Sequence, residues 1–201
     1  MTEANQRSIF FTVAAVILIS TGIGVFAIRL IHAGPYVMPH GGAVYGAFGA
    51  ILLAAILIYR SPRWLCWTAI ALSPVALFPA LYSIMGESEE VISLYATDSK
   101  NNPVDLRLWI VDREDGAWLG MSRAKAVEHR LDGNRVTMLR QGQTICVIPV
   151  LHDKDRATVR AIHRMKVEKY AVARAAGLIG LYPLEATDST VVIRLDPCLD
   201  K

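Results

Sequence analysis

Apolar and polar positions follow two different rules along this chain. Twenty residues from Ile9 to Ile28 carry no charge, nineteen more run uncharged from Gly41 to Tyr59, and twenty-two from Trp64 to Met85. A helix that crosses a bilayer needs about 20 mostly apolar residues. Three transmembrane helices are therefore expected, at about 9–28, 41–59 and 64–85. Beyond Val91 the pattern changes to short alternating runs. In "LRLWIVD" Leu106, Leu108 and Ile110 fall on one face, and Asp105, Arg107 and Trp109 on the other. Asp115-Gly116 turns this run into "AWLGM", and Gln141-Gly142 joins "RVTMLR" to "TICVIPV". With "VISLYAT" before them and "TVVIRLDP" at the end, six strands are expected, and Pro149 suggests an edge or rim for the fifth. "AKAVEHRLDGN" reads as a short helix stopped by Gly133. A longer helix starts near Asp153 as N-cap and carries Val159, Ile162, Met165 and Tyr170 at helical spacing. It extends to "AAGLIGL", where Gly177 and Gly180 weaken it.

Charge sharpens the division. Residues 1–85 hold four basic side chains and one acid, whereas residues 86–201 hold seventeen of each, so the whole net charge of +3 lies in the first part. The expected domains are a membrane anchor at 1–86 and an extramembrane domain at 87–201. The fold class is an α-helical membrane domain followed by a small α+β barrel or strongly curled sheet. A neutral second domain argues against nucleic-acid binding. Arg7, Arg60 and Arg63 fall on one side of the bilayer by alternation, and only Arg29 lies opposite. The positive-inside rule places the N-terminus and the Arg60–Arg63 turn in the cytoplasm of an integral cell-membrane protein. The C-terminal domain is then extracytoplasmic. A cleaved signal peptide is the rival reading of the first run, but that run exceeds the roughly 7–15 apolar residues of a signal core, and two more follow.

Gly42, Gly46, Ala50 and Ala54 recur every four residues, a small-residue stripe that lets another helix approach, either inside this unit or on a partner chain. Histidines 32, 40, 129, 152 and 163 show no metal-ligand spacing, and there is no G-x-S-x-G, H-E-x-x-H or phosphate-loop motif. No metal site is expected. Cys66 belongs to helix packing. Cys146 and Cys198 could form one disulfide if the domain is outside the cytoplasm and they meet.

The turn "TDSKNNP", the strand "LRLWIVD", the hairpin end "AWLGM", the pair "NRVTMLRQGQTICVIPV", the helix "MKVEKYAVA" and the closing "VVIRLDP" together resemble the flavin-binding split-barrel, or pyridoxamine-phosphate-oxidase-like, domains. Within that group residues 91–197 are most similar to the deazaflavin-dependent nitroreductase and quinone-reductase branch. The resemblance implies FMN or a deazaflavin as cofactor, held in part by a basic, glycine-containing first turn. Here Thr97 and Lys100 match, but both glycines are missing and Asp98 has entered. Glycine permits the close backbone approach that an anion needs, and an acid repels one.

Cofactor-binding candidates are Lys100, Arg107, Trp109, Lys166, Lys169 and Tyr170; no catalytic residue is assigned, and only Tyr170 is a candidate proton donor. The bland alternatives are an arginine stacked on Trp109 and a solvated basic helix face. Two functions follow. The altered turn and the orientation favour a non-catalytic module that binds a ligand or partner at the outer membrane surface. The alternative is a flavin- or deazaflavin-dependent oxidoreductase acting on a quinone-like acceptor in the bilayer.

Overall fold

The computed structural model describes residues 3–31, 42–59 and 62–198. His32, His40, Arg60 and Gly41 lie outside them. The chain divides into two compact units, one reaching Ser88 and the other starting at Glu89.

The first unit contains α1 (Glu3–Ile31), α2 (Gly42–Ile58) and α3 (Arg63–Glu87). Ile9–Ile31 and Arg63–Glu87 are long and apolar enough to cross a membrane; α2 has 17 residues, so two of the three expected spans meet the length on their own. Phe11 meets Trp67 edge-on at 5.5 Å, and Arg29 reaches Ser83 at 3.1 Å and Glu87 at 3.7 Å. These contacts set α1 and α3 side by side and parallel, so α2 returns between them. The small-residue stripe faces inward. A Cβ on Gly46 would lie 2.8 Å from Pro79 Cγ and 2.9 Å from the Ala76 carbonyl, and Ala50 and Ala54 are fully buried. Cys66 is free and buried in the same packing.

The second unit is a closed antiparallel barrel with two faces of packing. Its strands are β1 (Val91–Thr97), β2 (Pro103–Arg113), β3 (Gly116–Ser122), β4 (Val136–Arg140), β5 (Gln143–His152) and β6 (Thr190–Pro197). They close in the order β1–β2–β3–β6–β5–β4, with β4 paired back to β1. Leu106, Leu108 and Ile110 point inward with Ile92, Leu119 and Ile193, as the alternation predicts. The outward residues Val111, Trp118 and Val192 are covered by α5 (Arg156–Lys169) and α6 (Ala171–Leu178), which build a second core outside the barrel. A six-residue helix, α4 (Arg123–Glu128), is capped by Ser122 and ends before Gly133.

Three local expectations narrow or change. For Pro149 the structure selects the rim and not the edge: closure leaves no edge strand, and the residue lies past the end of the β4 pairing. It is tolerated because β4 covers β5 only from Gln143 to Val147. The Pro149 carbonyl accepts from Gly133 N–H at 2.8 Å on that uncovered side, where its own N–H would also have pointed. The N-cap of the long helix is Asp155, which accepts from Ala157 and Thr158; Asp153 pairs with Arg123 instead. The helix also breaks at Tyr170, whose backbone is extended (φ −99°, ψ 110°). The Glu89 carboxylate accepts from Ala171 N–H at 2.6 Å and so caps the restart.

Cys146 and Cys198 form a disulfide with Cα atoms 5.4 Å apart. Register explains the pairing. Val147 lies opposite Pro197, so the residues one step outward are cross-strand neighbours, and Cys198 N–H donates to the Cys146 carbonyl at 3.1 Å.

Candidate functional site

The outward face of β2 carries the aromatic centre of the expected site. Arg107, Trp109 and Val111 alternate with the inward core residues. The Trp109 ring stacks on Tyr170 at 4.8 Å and 14°, and Tyr182 meets it edge-on at 6.1 Å. Lys166 comes from α5 to lie over both rings, 5.5 Å from Trp109 and 5.6 Å from Tyr182, and its ammonium donates to the Gly120 carbonyl at 3.0 Å. Burial, with a small addition from Lys125, pulls the Lys166 pKa down to about 8. The ring faces and the carbonyl oppose that fall.

Tyr170 joins the cluster as a brace. Its hydroxyl donates within reach of the carbonyls of Ile110 (2.6 Å) and Glu90 (2.8 Å) and accepts from Ile110 N–H at 2.8 Å. The ring is 1 % exposed, and burial pushes the phenol well above its ordinary pKa. A phenol so placed holds its proton, and that proton is already committed to backbone carbonyls. Lys169 donates to the Ile110 carbonyl at 2.8 Å and pairs with Glu90.

Glu90, Asp112, Arg140 and Lys169 make a charge-balanced cluster where β1 begins and β2 and β4 end. Arg140 reaches Glu90 at 2.6 Å and Asp112 at 2.6 Å. Hydrogen bonds and attraction from Arg140 and Lys169 hold the carboxyls of Glu90 and Asp112 below their usual range, against a desolvation that raises them. Glu90 and Arg140 were not among the sequence candidates. Their signal was weak: a charged residue at the end of each strand, separated by half a domain.

Lys100 stands apart from the cluster, and Arg107 borders it. Arg107 lies at the middle of β2, one same-face step from Trp109, and donates to Ser93 Oγ at 2.9 Å. Lys100 is exposed on the β1–β2 turn, the opposite end of β2 from Asp112. That turn is closed on itself. Asp98 Oδ1 accepts from the backbone N–H groups of Lys100 and Asn102, both at 2.8 Å, and Oδ2 accepts from the Asn102 side chain at 3.0 Å. The Asn102 donors hold the Asp98 carboxyl below its usual range. Arg130 braces the turn from outside through Asn101 Oδ1 (2.8 Å) and the Ser99 carbonyl (2.7 Å).

An open groove of about 750 Å³ runs between the β2–β3 hairpin and α5, with Asp112, Arg113 and Glu114 on one wall and Ala157, Thr158 and Met165 on the other. Among the described residues no three His, Cys, Asp or Glu side chains are placed to hold a metal ion. His163 is buried and shares a hydrogen bond with the Pro183 carbonyl at 2.9 Å, and burial lowers its pKa.

No protein-family model matches the chain, and no curated protein matches it. Solved structures do. The heme storage protein HutZ from Vibrio cholerae aligns over 58 % of this chain and 87 % of its own, at 12 % identity and a TM-score of 0.42. A putative pyridoxamine 5'-phosphate oxidase from Listeria innocua aligns over 56 % and 87 %, at 15 % identity and a TM-score of 0.37. Campylobacter jejuni ChuZ aligns over 70 % and 61 %, at 12 % identity and a TM-score of 0.38. These neighbours are split-barrel proteins of the pyridoxamine-phosphate-oxidase-like kind, and the closed six-strand barrel is the architecture that the sequence resemblance implies.

Proposed function

We propose that this chain is a membrane-anchored, extracytoplasmic split-barrel module that binds a ligand or partner at the membrane surface without catalysis. The observation that carries this reading is the Asp98 turn. By resemblance this is where a cofactor phosphate would sit, and the chain's own carboxylate accepts the hydrogen bonds that such a phosphate would need. The sealed Tyr170 hydroxyl supports the same reading, because it removes the expected proton donor. The groove beside the β2–β3 hairpin offers a surface for a ligand.

The anchor rests on the first unit. Helices α1 and α3 run parallel and end level at Arg29 and Glu87, so α2 crosses the same thickness in return. Its 17 residues span about 25 Å at 1.5 Å each, a short third crossing. Three crossings with Arg7 and Arg63 inside leave the barrel outside. A disulfide between Cys146 and Cys198 suits that oxidising side.

The test is optical. The purified full chain is expected to be colourless and to take up neither FMN nor a deazaflavin on dialysis. A flavin-like chromophore retained through purification, and lost in Lys100→Ala, would overturn the reading in favour of the oxidoreductase.

A further inference from the structure

Among the described residues of the barrel domain, the exposed large apolar side chains are Val127 and four that lie together: Leu178, Ile179, Leu181 and Leu184, at 83, 65, 57 and 46 % exposure. This tip is not a frayed end. Leu181 N–H donates to the Ala176 carbonyl at 2.8 Å and Gly180 N–H to Gly177 at 3.0 Å, with Gly180 at φ +75°. That is a Schellman closure of α6. Leu184 seats against Gly177, where an added Cβ would lie 2.1 Å from Leu184 Cδ2. The next stretch is pinned to α5, since the Pro183 carbonyl meets His163 at 2.9 Å and the Tyr182 ring stacks on the His163 ring at 5.9 Å. An ordered loop thus holds Leu178, Ile179 and Leu181 outward, with Leu184 half-exposed against Gly177.

The same elements concentrate positive charge. Residues 156–184 contain six basic side chains (Arg156, Arg160, Arg164, Lys166, Lys169, Arg174) and one acid, Glu168; with Lys166 packed against its rings and Lys169 paired to Glu90, the basic surface is carried by Arg160, Arg164 and Arg174. The rest of 86–201 has eleven basic and sixteen acidic residues. Arg160 and Arg164 are exposed one turn apart on α5, flanking the buried His163 that pins the loop. The His163 contacts with Tyr182 and Pro183 therefore bring the basic flank next to the apolar tip. An apolar edge with a basic rim is the pattern of a segment that settles into the headgroup layer of an anionic bilayer.

We infer that the α6 tip, Leu178–Leu184, is a second membrane contact, with its aliphatic side chains at the acyl boundary and Arg160 and Arg164 on anionic headgroups. This rests on the anchored reading above, which keeps the domain beside a bilayer. A second copy of the chain fits less well, because a two-fold contact through this surface sets arginine against arginine.

The test uses the full chain in nanodiscs, with a nitroxide at Leu181→Cys in a Cys66→Ala background; Cys146 and Cys198 stay paired. Collisions with oxygen and with an aqueous nickel chelate report where the label sits. In phosphatidylcholine–phosphatidylglycerol discs the label is expected to be oxygen-accessible and shielded from nickel, while the same label at Val127→Cys stays in water. Removing both charges, Arg160→Gln with Arg164→Gln, should lower the docked-to-undocked ratio roughly fivefold per charge. A label at 181 as open to nickel as the one at 127 overturns the inference alone. Dipolar broadening between two chains in one disc overturns it in favour of self-association. A chain not retained in discs overturns the anchored reading and this inference together.

Discussion

The two units differ in what they bury. Inside the helical unit alanines predominate, Ala15, Ala47, Ala50, Ala54, Ala69 and Ala80 with Leu18, Val25 and Leu57 among them, while Val16, Ile23, Phe48, Leu52 and Val75 are more than half exposed. Inside the barrel lie leucine, isoleucine, valine and methionine, and the charged residues face out. Close packing of small side chains with large aliphatics turned outward is how helices associate when the surroundings are as apolar as the side chains. The barrel obeys the rule for water. That contrast is what the proposed anchor requires of a chain that meets two solvents, and the α6 tip is where the barrel departs from its own rule.

The largest test of that contrast is one substitution made in both units. Leu119→Ala opens a cavity in the barrel, where Leu119 is 0 % exposed, and should cost about 2–5 kcal/mol in denaturant titration followed by near-ultraviolet dichroism. Leu52→Ala on α2, where Leu52 is 65 % exposed, should change stability by no more than about 0.5 kcal/mol. Equal losses would mean that the outward face of α2 is packed as tightly as the barrel core. The converse substitution is Gly46→Leu, which pushes side-chain atoms into Pro79 and the Ala76 backbone and should cost about 1–3 kcal/mol in detergent. Tyr45→Leu, one residue away and 71 % exposed, should be neutral.

Smaller effects sharpen the account of the barrel's outer layer. Tyr170→Phe removes the hydroxyl shared by Ile110 and Glu90 and should cost about 1–3 kcal/mol, with the broken helix still capped by Glu89. Lys166→Met should gain roughly 1 kcal/mol at neutral pH, because an ammonium under two rings is no longer desolvated. Below about 8 this lysine is charged in the folded and unfolded chain alike, and folding carries the cost of burying it. Between about 8 and the ordinary 10.5 the folded chain sheds the proton while the unfolded chain keeps it, so parent stability rises with pH. The advantage of Lys166→Met therefore shrinks across that window, which urea midpoints at a series of pH values would follow.

All six strands were legible, because Leu106, Leu108 and Ile110 alternate with polar neighbours and the turns carry Asp-Gly and Gln-Gly. What sequence hid depends on closure. Pro149 signals an edge only if the sheet has one, and barrel formation moves its missing N–H to a place where β4 has already ended. The helix break at Tyr170 carries no glycine or proline; it follows from a hydroxyl tied to β2 and from a cap supplied by Glu89, 82 residues earlier. Trp109, Lys166, Lys169 and Tyr170 do come together, with Arg107 one step along the same strand face, whereas Lys100 lies on the turn at the opposite end of β2. The aliphatic tip read as the weakening end of a helix, since Leu178, Ile179 and Leu181 are apolar wherever they point, and only exposure separates a core face from a surface one.

The proposed extracytoplasmic barrel can be tested through its own disulfide. In intact cells expressing the Cys66→Ala chain, a membrane-impermeant maleimide should label nothing until an impermeant reductant opens the Cys146–Cys198 bond, and should then label both cysteines. Labelling that requires permeabilised cells, with both thiols already free, would place the barrel on the reducing side and contradict the account.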